Sequence, residues 1–123
     1  MNKKIMTSIK LQKLLHFKMQ QQIIGDGYGM RGKSKWIIEA IENFLQLPDY
    51  PLLVDIANEM EQLTEIVSIR LSEGLMNQLD QAVIKVRRQY PAMEGVKSNL
   101  IRASIIQRLI RVSTSVTEHD VTH

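Results

Sequence analysis

MTSIKLQ at residues 6–12 and VSIRLS at residues 67–72 each alternate apolar and polar side chains, as half-buried β-strands do. The second stretch repeats the first 60 positions later, since Ile9 corresponds to Ile69 and Leu11 to Leu71. A single strand leaves its backbone N–H and C=O groups without partners, so each stretch needs another strand beside it. Each stretch is therefore predicted to be one strand of a two-stranded ribbon, paired with the other stretch or with a strand of a second chain.

Two helices are predicted after each strand. Apolar residues recur about every four positions in residues 11–23 and 71–86, which is the period of an amphipathic helix. Glycines in residues 25–32 and the proline of residues 90–92 then interrupt the helical pattern. The second helices are predicted from the matching stretches RGKSKWIIEAIENFL (31–45) and GVKSNLIRASIIQRLI (95–110). The fold class predicted is mainly α with a two-stranded antiparallel β-ribbon, built from two strand–helix–helix repeats in one chain.

The chain divides into four segments on this pattern. Pro51 suits the first turn of a helix between the repeats, and the last residues have few apolar side chains and no period. The predicted segments are a first repeat at 1–47, a linker helix at 48–64, a second repeat at 65–112 and a disordered tail at 113–123.

Composition excludes several classes of protein. The 123 residues include no cysteine, which excludes disulfide scaffolds and thiolate metal sites. No apolar run is long enough to span a membrane, and the first residues lack the apolar core of a signal peptide. We therefore expect a cytoplasmic protein without a cofactor. The net charge of +3 permits a polyanionic partner without requiring one.

The order strand, helix, glycine-containing turn, helix resembles the ribbon-helix-helix family of DNA-binding proteins, the MetJ/Arc superfamily. The resemblance rests on xIxLx in the strands and KSxxI at the second helices, across roughly residues 5–46 and 65–111. In that family two units interlock and their ribbon enters the major groove of DNA. Two copies in one chain are similar to the TraY-like tandem proteins of conjugative plasmids. The resemblance implies a transcriptional regulator that binds double-stranded DNA, or an accessory subunit of a transfer or partition complex, without enzymatic activity.

The outward side chains of the ribbon are the candidates for reading bases. They are Met6, Ser8 and Lys10 in the first strand and Ile66, Ser68 and Arg70 in the second. Arginine and lysine donate to guanine O6 and N7, serine bonds several base edges, and apolar side chains contact the thymine methyl. If the strands pair within one chain, the site read is asymmetric, whereas pairing in a homodimer predicts a palindrome. Both pairings remain open.

Phosphate contacts are predicted at the start of each second helix, where unpaired N–H groups and the helix dipole attract anions. The candidates are Lys33, Ser34 and Lys35 in the first repeat and Lys97, Ser98 and Asn99 in the second.

A competing motif occupies residues 27–34, which match the phosphate-loop pattern G-x-x-x-x-G-K-[ST]. Nucleotide binding would require a buried strand before the loop, but the preceding residues continue a helical period, so a turn into a helix is favoured. A scaffold that binds a protein partner is a further alternative, since Phe17, Met76 and Ile106 are apolar residues outside the main stripes. Trp36 is predicted to be a core anchor, not a platform for base stacking.

Overall fold

The structure is a computed structural model that describes residues 3–29 and 31–121, with side chains described as far as Arg111. Within these residues the protein has mixed α and β structure, with one two-stranded antiparallel sheet and five helices. The elements in chain order are β1 (Lys4–Gln12), α1 (Lys13–Gly25), α2 (Lys33–Phe44), α3 (Tyr50–Ala57), β2 (Leu63–Ser72), α4 (Glu73–Gln89) and α5 (Val96–Val121). None of the described helices is both long and apolar enough to cross a membrane.

The ribbon pairs β1 with β2 of the same chain. Ser8 lies opposite Ser68 at its centre, and the register is regular until an irregularity at Leu11 and Gln12. The predicted alternation is confirmed, because Ile9 and its partner Val67 are buried while the two serines are exposed. Both strands are longer than predicted, and their ends are therefore part of the exposed face as well.

The core lies between the inward side of the ribbon and the helices. Two helices follow each strand, α1 and α2 after β1 and α4 and α5 after β2, and all four contribute buried residues. Trp36, Leu11 and Leu71 are each 0% exposed, which confirms that Trp36 is a core residue. The apolar stripe of α1 is buried, and that predicted for α2 is buried as far as Phe44 but half-buried at Leu45, which follows the helix. In α4 the predicted residue Val83 is half-buried, and Ala82 is buried beside it. Burial of each large apolar side chain stabilises the fold by about 1.5–3 kcal/mol before entropy is subtracted.

The turn between α1 and α2 depends on glycine. Gly27 and Gly29 have positive φ angles of 82° and 73°, which side chains other than glycine rarely adopt. At Gly32 the constraint is space, because a Cβ there would lie 2.4 Å from the carbonyl oxygen of Tyr28. Among the four glycines of residues 25–32, Gly32 is therefore the one at which an alanine Cβ would clash.

The segments outside the two predicted repeats have boundaries different from those predicted. The linker helix α3 is shorter than 48–64, since it ends at Ala57 and β2 begins at Leu63. This helix packs against α5 and α4. α5 continues to Val121 where a disordered tail was predicted from residue 113, because no glycine or proline interrupts it. Residues 122 and 123 lie outside the described residues.

Candidate nucleic-acid interface

All six predicted base-reading residues lie on the outward face of the ribbon. They form three directly opposed pairs, Met6 with Arg70, Ser8 with Ser68, and Lys10 with Ile66. Each of the six side chains is exposed, and the two serine Oγ atoms lie 3.4 Å apart at the centre. The structure thus assembles one surface of two hydroxyls, two cations and two apolar side chains from strands about 60 positions apart in the chain.

This face has a local pseudo-twofold symmetry about the serine pair. Exchange of the two strands brings Met6 onto Ile66 and Lys10 onto Arg70. Each end of the face therefore presents one apolar side chain beside one cation. A two-stranded ribbon has strands about 4.8 Å apart and fits a major groove about 12 Å wide, so these six side chains can reach base edges together.

One end of the ribbon adjoins a basic concavity, which we define by Lys4, Arg31, Ser34, Lys35 and Arg70. The Ser34 hydroxyl accepts a hydrogen bond from the backbone N–H of Arg70 at 3.3 Å, which fixes the start of α2 against β2. Four cations from β1, β2, the loop and α2 thus line one concavity beside the start of α2. Such a combination of positive charge and helix dipole attracts a phosphate group.

Two of these cations, Lys4 and Arg31, were not among the predicted phosphate-binding residues. Lys4 could have been predicted, because the alternation of Met6, Ser8 and Lys10 extends to it at the next outward position. Arg31 lies in the glycine-rich loop, where no helical or strand period in the sequence predicts which way a side chain points. Lys33 also departs from the prediction, since its side chain is half-buried and lines a different groove beside α1.

The start of α5, which corresponds to the start of α2, is built differently. Asn99 is only 3% exposed, and its amide donates to Asn58 Oδ1 at 2.7 Å and to the Glu94 carbonyl at 3.2 Å. In contrast to the predicted exposure toward a phosphate, the Asn99 side chain is buried and bonded within the protein. Lys97 lies 2.9 Å from Asp80 Oδ1, which offsets part of its charge, and Ser98 is half-buried.

Arg102 occupies the position in α5 that Ile38 has in α2, four residues after the serine. Its guanidinium is buried, donates to the Lys10 carbonyl at 3.0 Å and also bonds Asn99. Burial lowers the pKa of Arg102 from its ordinary value, although an arginine side chain stays charged in proteins. This cation therefore ties α5 to β1 and does not face solvent beside the ribbon. The two ends of the ribbon consequently differ in electrostatic character.

A second polar cluster fixes the loop that carries Arg31. Arg108 of α5 stacks on the Trp36 ring at 4.5 Å and donates to the Trp36 carbonyl and the Tyr28 hydroxyl. Asp26 accepts from the Trp36 indole N–H at 2.8 Å, and the Tyr28 hydroxyl bonds Glu39. The pattern of apolar residues gave no signal for this cluster, because its partners come from three separate segments. It holds the glycine-rich turn in one conformation against α5.

The phosphate-loop match at residues 27–34 lies between two helices. α1 precedes it where the motif requires a strand. Met30 lies outside the described residues. Among the described residues, no three His, Asp or Glu side chains come together as a metal site.

The candidate interface therefore consists of a ribbon face of mixed polarity, with four cations in a concavity at one end. At the other end Lys10 is exposed, while Asn99, Arg102 and Lys97 are bonded within the protein. Its residues can bond base edges through the ribbon and attract phosphate at the basic end. Comparison of the chain with models of known protein families, with curated proteins and with solved structures finds no match.

Proposed function

We propose that this protein is a tandem ribbon-helix-helix protein that binds one double-stranded DNA sequence and regulates transcription there. In this proposal it is encoded by a plasmid or other mobile element and acts in the cytoplasm. The observation that carries the proposal is the outward face of the ribbon. It presents six exposed side chains as three opposed pairs, with hydroxyls at the centre and a cation toward each end. In this proposal the two halves, β1-α1-α2 and β2-α4-α5, are the paired repeats.

The chemistry of the face supports reading of bases in the major groove. Arg70 can donate two parallel bonds to guanine O6 and N7, and Lys10 can donate to the same atoms. Ser8 and Ser68 can donate or accept, while Met6 offers an apolar contact to a thymine methyl. Because the cation at one end is arginine and at the other lysine, the preferred sequence is asymmetric.

The basic concavity supports phosphate binding at one flank of the site. Phosphate contacts set position and affinity but carry no sequence information directly. Because Asn99 is buried and Lys97 is paired with Asp80, we propose that the opposite flank contributes less. One protein would then bind its site in a single orientation.

The proposal is tested by selection of bound sequences from random duplex DNA at moderate salt. Wild type is compared with Lys10→Ala/Arg70→Ala, which removes both cations from the face, and with Lys18→Ala/Arg88→Ala. The second variant loses the same two residue types from exposed positions on α1 and α4, so it controls for net charge. Loss of one bidentate contact costs about 1–3 kcal/mol of discrimination.

We expect wild type and the charge control to enrich the same short asymmetric site, and the ribbon variant to lose that preference while its thermal unfolding is unchanged. If the ribbon variant still enriches the site, the ribbon does not read it. If wild type enriches nothing, the proposal of sequence-specific DNA binding fails.

A second candidate is an accessory subunit that joins a conjugative transfer or partition complex through a protein partner. It is favoured by the exposure of Leu14 and Phe17 on α1, since large apolar side chains grouped on a surface mark interaction sites. This candidate predicts a protein complex that survives nuclease treatment.

A further inference from the structure

Helix α1 carries a second apolar stripe on the side that faces away from the core. Leu14, Phe17 and Ile24 are 62%, 55% and 65% exposed. At about 100° per residue they lie in one sector of the helix, with Gln21 between them. Grouped exposure of large apolar side chains on one element marks a contact surface more often than scattered exposure does.

The second half of the chain is an internal control for this stripe. The residues that correspond to Leu14 and Phe17, 60 positions later on α4, are Gly74 and Asn77. The same strand–helix–helix arrangement therefore folds with a glycine and an amide at these two positions. Packing of the core therefore does not account for Leu14 and Phe17, whereas Ile24 corresponds to Ile84, which is also apolar and exposed.

The stripe borders a groove between α1 and the start of α2. Phe17, Gln20, Gln21 and Ile24 line it on one side and Lys33 on the other, around a volume of about 460 Å³. Apolar anchors spaced along a helix match the contacts by which an amphipathic helix lies in a groove. We call this surface, with Leu14 extending it along α1, the α1 groove.

The charge around the α1 groove selects the kind of partner. At about 100° per residue, Lys13 and Lys18 lie on either side of the stripe, and Lys33 is on the opposite wall. α1 contains no aspartate or glutamate. Two copies of α1 packed together would bring lysines near lysines without a carboxylate of that helix between them, which is unfavourable. An acidic partner would instead neutralise all three.

We propose that the α1 groove binds an acidic amphipathic helix of a second protein. Its apolar residues would contact Leu14, Phe17 and Ile24, and its carboxylates would face Lys13 and Lys18. This surface lies on different residues from the ribbon face, so a partner can bind there independently of DNA.

The test uses a fluorescent amphipathic peptide of about 15 residues, a length at which helices begin to form, with leucines on one face and glutamates elsewhere. A matched peptide carries lysine in place of every glutamate. Binding to the full chain is measured by anisotropy at low salt, with wild type, Phe17→Asn and Ile84→Asn. Phe17→Asn introduces the residue found at the corresponding place in α4, and Ile84→Asn removes an equally apolar residue, 46% exposed, from α4 itself.

We expect the acidic peptide to bind at least tenfold more tightly than the basic one, and Phe17→Asn to weaken it about tenfold, as truncation of an interface anchor does. Ile84→Asn should leave it unchanged. The proposal is overturned if both peptides bind equally or if neither binds at millimolar protein. It is also overturned if Phe17→Asn and Ile84→Asn weaken binding of the acidic peptide equally. A dimer in sedimentation that Phe17→Asn converts to monomer also overturns it, since a second copy would then cover the groove. Unchanged thermal unfolding of Phe17→Asn excludes misfolding, and its DNA selection tests the ribbon separately.

Discussion

Replacement of Lys4, Arg31 and Lys35 together by alanine should flatten the salt dependence of DNA binding. These three cations line the basic concavity beside the ribbon and come from β1, the glycine-rich loop and α2. Lys4 and Lys35 are exposed, as is Arg31, so their removal costs little packing. The variant therefore separates attraction to phosphate from folding of the chain.

The magnitude follows from counterion release. Each phosphate neutralised contributes about 0.9 to the slope of log K against log salt concentration, so loss of three contacts should reduce the slope by roughly 2.7. Between about 50 and 200 mM salt, wild type should then lose roughly 40-fold more affinity than the triple variant does. Binding at low salt weakens most, because the electrostatic attraction is largest there.

The matched control is Lys18→Ala/Arg87→Ala/Arg88→Ala, which removes three exposed cations from α1 and α4. Both triple variants lower the formal net charge from +3 to zero. Affinity for the selected site is measured by anisotropy over a series of salt concentrations, and interference by ethylated phosphates locates the contacts. We expect a changed slope in the first variant alone and interference concentrated on one flank of the site.

Two results would refute this reasoning. An equal change of slope in the control would mean that overall charge attracts DNA, without a contribution from the concavity. Interference of equal strength on both flanks would mean that the start of α5 binds phosphate despite the burial of Asn99. Either result would leave base reading by the ribbon as a separate question.

Two further predictions concern stability, and both are measured by urea unfolding. Gly32→Ala should destabilise the protein by about 2–3 kcal/mol through overpacking, because the added Cβ would overlap the Tyr28 carbonyl. Gly74→Ala, with open space around it, should be neutral or stabilising by up to about 1 kcal/mol. Equal effects of the two substitutions would contradict the predicted clash. Arg102→Ala should cost about 2–3 kcal/mol, since it removes charge-assisted bonds to the buried Asn99 side chain and to the part-buried Lys10 carbonyl. Substitution of the exposed Arg111 by alanine should stay within about 0.5 kcal/mol. A loss below 1 kcal/mol for Arg102→Ala would show that those bonds contribute little.

The ribbon face was predictable from sequence because its signal is local. Alternation fixes which side chains share a face of a strand, whatever the rest of the chain does. Ser8 and Ser68 could therefore be assigned to the outward side before their 3.4 Å approach was known. The buried stripes of α1 and α2 followed from the helical period in the same way.

The difference between the two ends of the ribbon was not predictable, because it depends on tertiary partners. The KS pair recurs before both second helices, so Lys35 and Asn99 looked equivalent in sequence. Asn99 is buried because Asn58, 41 positions away, accepts its hydrogen bond. Arg102 is turned inward by the Lys10 carbonyl, 92 positions away. No periodicity encodes contacts at such separations.

Pairing of the two strands within one chain explains how the ends could come to differ. In a ribbon made from two identical chains, every substitution appears at both ends, so a cation gained at one end is gained at the other. In a single chain, Lys4 at one end can correspond to Thr64 at the other, and the exposed Lys35 to the buried Asn99. The central serine pair keeps the symmetric geometry that both strands need. The ends are free to diverge, one toward attraction of anions and the other toward bonds within the protein, and a DNA-binding ribbon of this kind would have a direction on its site.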